Sequence, residues 1–158
     1  MRSKFLAVIA AALVLAGCSS TNAVDEPAGI SVANVYVKAT DTMMTGAFMD
    51  VINNTDADVT LTGATADFAE KVEVHEVVDG VMRMKEGGLQ IAKGATGILE
   101  PGGNHLMFLG LMRPLVAGDE VEFTLQFSDG SSVDVLAAVK DLTMGDEPYP
   151  SASPSMEM

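Results

Sequence analysis

The chain of 158 residues holds two histidines, one cysteine and eleven methionines, and each histidine has methionine partners at β-strand spacing. The first lies in Lys71-Val72-Glu73-Val74-His75-Glu76-Val77-Val78, followed by Asp79-Gly80 and then Val81-Met82-Arg83-Met84-Lys85. Asp-Gly between two such runs predicts a two-residue hairpin, because a type I′ turn needs positive φ at both central residues. A turn at 79–80 pairs Val78 with Val81, which sets His75 opposite Met84 and Glu76 opposite Arg83. Opposed Cβ atoms lie about 4.5–5.5 Å apart, close enough for two side chains to share one ion. Met82 has the parity of Met84 and lies on the same face, one pair nearer the turn. The second histidine is in His105-Leu106-Met107, after Pro101-Gly102-Gly103. Residues two apart in a strand point the same way, so His105 and Met107 share a face and Leu106 points to the core.

Two imidazoles and two thioethers select a metal by softness. Thioether sulfur is uncharged and soft, a poor ligand for Zn²⁺, Mg²⁺ or Ca²⁺ but well suited to Cu(I). The candidate ligands are therefore His75, Met84, His105 and Met107, with Met82 in reserve. Thioethers need no deprotonation and form no disulfides, which fits a carrier outside the cytoplasm. Taken singly, each methionine reads equally well as a filler of core gaps, and each histidine as a surface residue. The joint pattern favours the ion, provided the fold brings the hairpin and the His105 strand together.

The elements that must do so are short strands. Val32, Val35 and Val37 sit in one β-rich run, and Phe48 to Ile52 in another, closed by Asn53-Asn54-Thr55-Asp56. Val59 to Leu61 is a third. Val121, Phe123, Leu125 and Phe127 alternate with polar residues, Asp129-Gly130 turns the chain, and Val133 to Val139 returns. No segment has a sustained 3.6-residue apolar period. Seven to nine strands over 30–142 predict an all-β, antiparallel β-sandwich, cupredoxin-like or immunoglobulin-like.

The ends carry an address. Arg2 and Lys4 precede the apolar run Phe5 to Ala16, too short for a bilayer span of roughly 20 residues and suited to a signal-peptide core. Leu15-Ala16-Gly17-Cys18 resembles the bacterial lipobox, with Cys18 the residue to be lipidated. The expected organisation is a signal peptide over 1–17, an anchor and flexible tether over 18–29, the domain over 30–142, and a disordered tail over 143–158 with Met144, Met156 and Met158. Lipidation of the one cysteine leaves no thiol for a disulfide or a thiolate metal site. Without Arg2 and Lys4 the chain has seven basic and twenty-two acidic side chains, a charge of −15 that repels nucleic acid. No nucleophile stands beside a base in a recognisable motif, so the chain reads as a non-enzyme. A blue-copper electron carrier would need a cysteine ligand. A copper-storage lipoprotein and a metal-free adhesion or scaffold domain are the alternatives left open.

These residues resemble the PCuAC family of periplasmic copper chaperones, whose signature is a His, about ten residues, a Met, about twenty-one residues, and His-x-Met. Here eight residues separate His75 from Met84, and twenty separate Met84 from His105-Leu106-Met107. Val72-Glu73-Val74-His75-Glu76, Gly80-Val81-Met82-Arg83-Met84, Pro101 to Met107 and Gly110-Leu111 are also similar, and the match runs over roughly 31–139. Losing two residues before Met84 shortens the hairpin and preserves the face of each side chain. The resemblance implies a cupredoxin-like sandwich that holds one Cu(I) near its surface and passes it to an acceptor protein, the CuA site of cytochrome c oxidase subunit II, from a membrane-anchored position in the periplasm or on the cell surface.

Overall fold

The computed structural model describes residues 29–142. The expected signal segment, Cys18, the tether before Gly29 and the tail with Met144, Met156 and Met158 lie outside the described residues. Ten strands form: β1 Ile30–Lys38, β2 Met44–Asn53, β3 Val59–Thr65, β4 Ala69–Val78, β5 Val81–Met84, β6 Leu89–Ile91, β7 Thr96–Leu99, β8 His105–Leu111, β9 Glu120–Phe127 and β10 Ser132–Lys140. Strands exceed the expected seven to nine, since β6 and β7 hold three and four residues between glycine turns and have too few side chains to show a period.

The strands run in the order β5-β4-β8-β2-β1-β10-β9-β3-β6, and β7 pairs the far half of β2. The path curls so that its two arms face each other: Phe108 on β8 meets Phe123 on β9 edge-on, with ring centroids 5.3 Å apart. Val37, Met49, Leu61, Val74, Leu106, Phe108, Phe123 and Leu125 all belong to the single core between them. The architecture is the all-β sandwich expected, with one difference. Strand β1 pairs β10 in parallel, Tyr36 beside Ala138, so the sheet is mixed. Hairpin signals report only neighbours in sequence, and this pair joins the two ends of the domain.

The spacing of Val32, Val35 and Val37 breaks strict alternation, yet all three pack on the core. A bulge reconciles them. The β1–β2 register shifts between Ala33 and Tyr36, and Asn34 there has φ 54°, a left-handed conformation asparagine tolerates better than most residues. One extra residue restores the inward face. In β9 the burial alternates strictly from Glu120 to Phe127, as its sequence implies.

Where β2 ends, Asn53 is fully buried. Its amide nitrogen lies 2.8 Å from the Ala57 carbonyl and 3.1 Å from those of Ile91 and Ala92. Its side-chain oxygen accepts from the backbone N–H of Thr55 at 3.0 Å and its hydroxyl at 2.6 Å. The side chain thus ties β2 to the end of β6. Asn53→Ala strands several buried groups, each costly to leave unmade, and is expected to lower stability by about 2 kcal/mol, read as a lower urea midpoint with unchanged slope.

Candidate metal centre

The hairpin forms in the register that its sequence dictates. Asp79 and Gly80 have φ 54° and 75°, the pair of positive values a type I′ turn requires. His75 stands opposite Met84, Glu76 opposite Arg83, and Val77 opposite Met82. The Lys85 N–H donates to the Val74 carbonyl at 2.8 Å, which makes 74/85 a hydrogen-bonded pair and 75/84 a non-hydrogen-bonded one, where side chains approach most closely. On the opposite face, the Glu76 carboxylate accepts from Arg83 at 3.1 Å and from Lys85 at 2.5 Å.

Strand β8 lies on the other side of β4, and this pairing closes the gap the sequence left open. It sets His75 directly opposite His105, and Glu73 opposite Met107. Met84, His75 and His105 therefore form one row across three adjacent strands, with Met107 two residues along β8 on the same face. The two imidazole centroids are 5.8 Å apart. All four candidate ligands come to one face, and Met82 lies on it one pair toward the turn. Leu106 and Val74, of opposite parity, are in the core as expected.

Burial grades across the row. His105 and Met107 are each 2% exposed and Met84 is 50% exposed, while the His75 side chain is 13% exposed. His105 is enclosed by aromatic neighbours on the next strands. Phe48 of β2 lies 6.2 Å from its ring, and Tyr36 of β1 lies 5.2 Å from Phe48. Burial, and then the Glu100 carboxylate, push the Tyr36 hydroxyl above its ordinary pKa.

Hydrogen bonds decide which ring nitrogen each histidine offers. His75 Nε2 is 2.8 Å from Glu73 Oε2. The carboxylate can only accept, so Nε2 carries the proton and a neutral ring has its lone pair on Nδ1, which is buried with no hydrogen-bond partner. His105 Nδ1 is 3.1 Å from the Gly103 carbonyl, so its neutral ring has the lone pair on Nε2. Each ring is held through one nitrogen while the other is left basic, the arrangement typical of histidines that bind metals. The hydrogen bond with His75, and next the Lys71 ammonium, hold the Glu73 carboxyl below the usual carboxylate range.

Sequence reasoning had assigned no role to Glu73, the Gly103 carbonyl or Phe48. Glu73 alone had left a signal: two residues before His75 in one strand, it must share that face. Among the described residues no three His, Cys, Asp or Glu side chains cluster to hold an ion, so a metal reading here draws on the thioethers.

The chain is 41% identical over 125 residues to the "Putative lipoprotein Lxx21020" of Leifsonia xyli subsp. xyli (strain CTCB07), across 77% of this chain and 75% of the relative. Its fold matches the copper-bound PCuAC domain from PmoF2 with a TM-score of 0.62 at 20% identity, covering 74% of this chain and 97% of that domain. It also matches the solution structure of CuI-DR1885 from Deinococcus radiodurans, with a TM-score of 0.58 at 29% identity over 80% of this chain and 87% of that one. The similarity to PCuAC domains expected from the motifs is thus present in the fold. Residues 30–139 match the family model described as "Putative lipoprotein LpqE-like", and the chain belongs to that LpqE-like lipoprotein family.

Proposed function

We propose that this domain binds one Cu(I) ion through His75, Met84, His105 and Met107 and passes it to an acceptor outside the cytoplasm. The observation that carries the reading is the facing pair of imidazoles, 5.8 Å apart, each held through its other nitrogen and flanked by thioethers on one sheet face. Similarity to copper-bound PCuAC domains supports it. The donors are His75 Nδ1, His105 Nε2 and the two sulfurs. All are neutral, so the ion's single charge is spread over soft ligands without a thiolate. Their chemistry is binding and exchange, and no enzymatic step is assigned to them.

Transfer proceeds by ligand exchange. Met84 is the open end of the row, on the outermost strand β5, beside a surface hollow of about 420 Å³ lined by Glu76, Arg83, Lys85 and Glu86. An acceptor's soft ligand replaces the Met84 sulfur first, and the buried His105 and Met107 let go last. Lipidation at Cys18 anchors the carrier at the membrane, where two acyl chains give durable attachment. The CuA site of cytochrome c oxidase subunit II is the acceptor we propose.

The test is titration of residues 19–142 with Cu(I) against a chromophoric chelator. One tight equivalent is expected, and a wild-type domain that leaves the chelator fully loaded refutes the proposal. Met84→Leu separates the two hairpin methionines. It is expected to weaken Cu(I) binding by at least about 10-fold, since even outer-shell partners of ligands are worth about 10–100-fold, while Met82→Leu stays within about twofold because Met82 faces Val77.

A further inference from the structure

Glu73 is buried further than a carboxylate on a strand usually is. Its side chain is 14% exposed, opposite the buried Met107, in a chain already crowded with acid. Such a group is expensive to desolvate unless its oxygens are engaged, and both are. Oε2 accepts from His75 Nε2 at 2.8 Å, and Oε1 pairs with Lys71 Nζ. Lys71, Glu73 and His75 sit at alternate positions of β4 and so on one face. The lysine holds one oxygen so that the other is aimed at the imidazole.

The ring needs that help. His75 lies 13% exposed near the open end of the row, opposite Met84, which is 50% exposed. His105, by contrast, is packed against Phe48 and tied to a backbone carbonyl. An imidazole free to turn about its χ2 bond offers Nδ1 or Nε2 to the row in turn, and only one is in place to meet the ion.

We infer that Glu73 is a positioning residue of the copper site: its hydrogen bond to Nε2 fixes the His75 ring in one orientation and leaves the buried Nδ1 as its donor, before any ion arrives. The inference rests on the copper reading proposed above and adds to it the group that prepares the more exposed imidazole. Glu73 does not itself ligate. Its oxygens are committed to His75 and Lys71, which keeps a hard donor away from a soft ion.

The experiment compares Glu73→Gln and Glu73→Ala with the wild type in the full mature chain. The first readout is the apo protein. A hydrogen-bonded imidazole N–H exchanges slowly and gives a visible ¹H–¹⁵N signal, so His75 Nε2–H is expected in the wild type and in Glu73→Gln, whose amide oxygen still accepts. It is expected to vanish in Glu73→Ala, while the His105 Nδ1–H signal persists in all three as an internal control for folding. The second readout is Cu(I) affinity: a loss of about 10-fold is expected for Glu73→Ala, as for other outer-shell partners, and recovery to within about threefold for Glu73→Gln. A Glu73→Ala protein with wild-type affinity overturns the inference, and so does a Glu73→Gln protein as weak as Glu73→Ala. If the wild type binds no Cu(I), the site itself is refuted, an outcome distinct from either.

Discussion

A His75→Ala, His105→Ala double variant loses tight Cu(I) binding, with affinity falling on the order of 10³-fold or more, since even outer-shell partners of ligands are worth about 10–100-fold. Two thioethers remain, and they lie two strands apart on β5 and β8 with the vacated β4 position between them. The fold survives, because Val74 and Leu106, the strand neighbours that point into the core between the two arms of the sheet, are untouched. The single variants differ in stability. His105→Ala opens a cavity beside Phe48 at a fully packed position and costs the apo domain about 2 kcal/mol, at the low end for large-to-small changes in buried sites. His75→Ala costs less, because that ring is partly exposed and its main partner, Glu73, keeps Lys71. Competition titration with chemical denaturation measures both. Retention of one tight equivalent by the double variant would move the ligands away from this sheet face.

The hairpin was legible to the residue because everything that sets it is local. Asp79-Gly80 dictates the turn, the turn dictates the register, and the register puts Met84 against His75. The shared face of His105 and Met107, the inward Leu106 and the alternation of β9 follow from strand geometry in the same way. The pairing of β4 with β8 was not legible. The segment between His75 and His105 contains three further strands, and nothing in either strand's own residues says which neighbour it will take. The parallel β1–β10 contact is non-local for the same reason. The β1 bulge left only an oblique mark, three valines whose spacing fails to alternate. Burial was hidden too: Met107 reads from sequence as an ordinary strand methionine, and only the strands on either side of it explain why it is 2% exposed.

That burial makes Met107 the residue at which packing and ligation can be told apart, and Met107→Leu is the variant that does so. Leucine has nearly the same volume and no polar atom, and such swaps in packed sites usually cost under about 1.5 kcal/mol. The site leaves little room to reorganise. Met107 lies between Glu73 on β4 and Gly46 on β2, and a Cβ at Gly46 would already stand 3.0 Å from the Phe48 ring. The melting temperature is therefore expected to change by only a few degrees. Cu(I) affinity is expected to fall about 100-fold, the upper end of what outer-shell partners alone contribute, because the deepest sulfur is gone. The oxidation-state preference should move as well. Removing a thioether leaves a donor set richer in imidazole nitrogen, which favours Cu(II) over Cu(I), so the Cu(II)/Cu(I) potential measured by voltammetry drops. If Met107 only fills space, Met107→Leu binds Cu(I) as the wild type does and the potential stays where it was. A thioether that packs and a thioether that ligates make the same contribution to the apo fold, and only the second is missed by the metal.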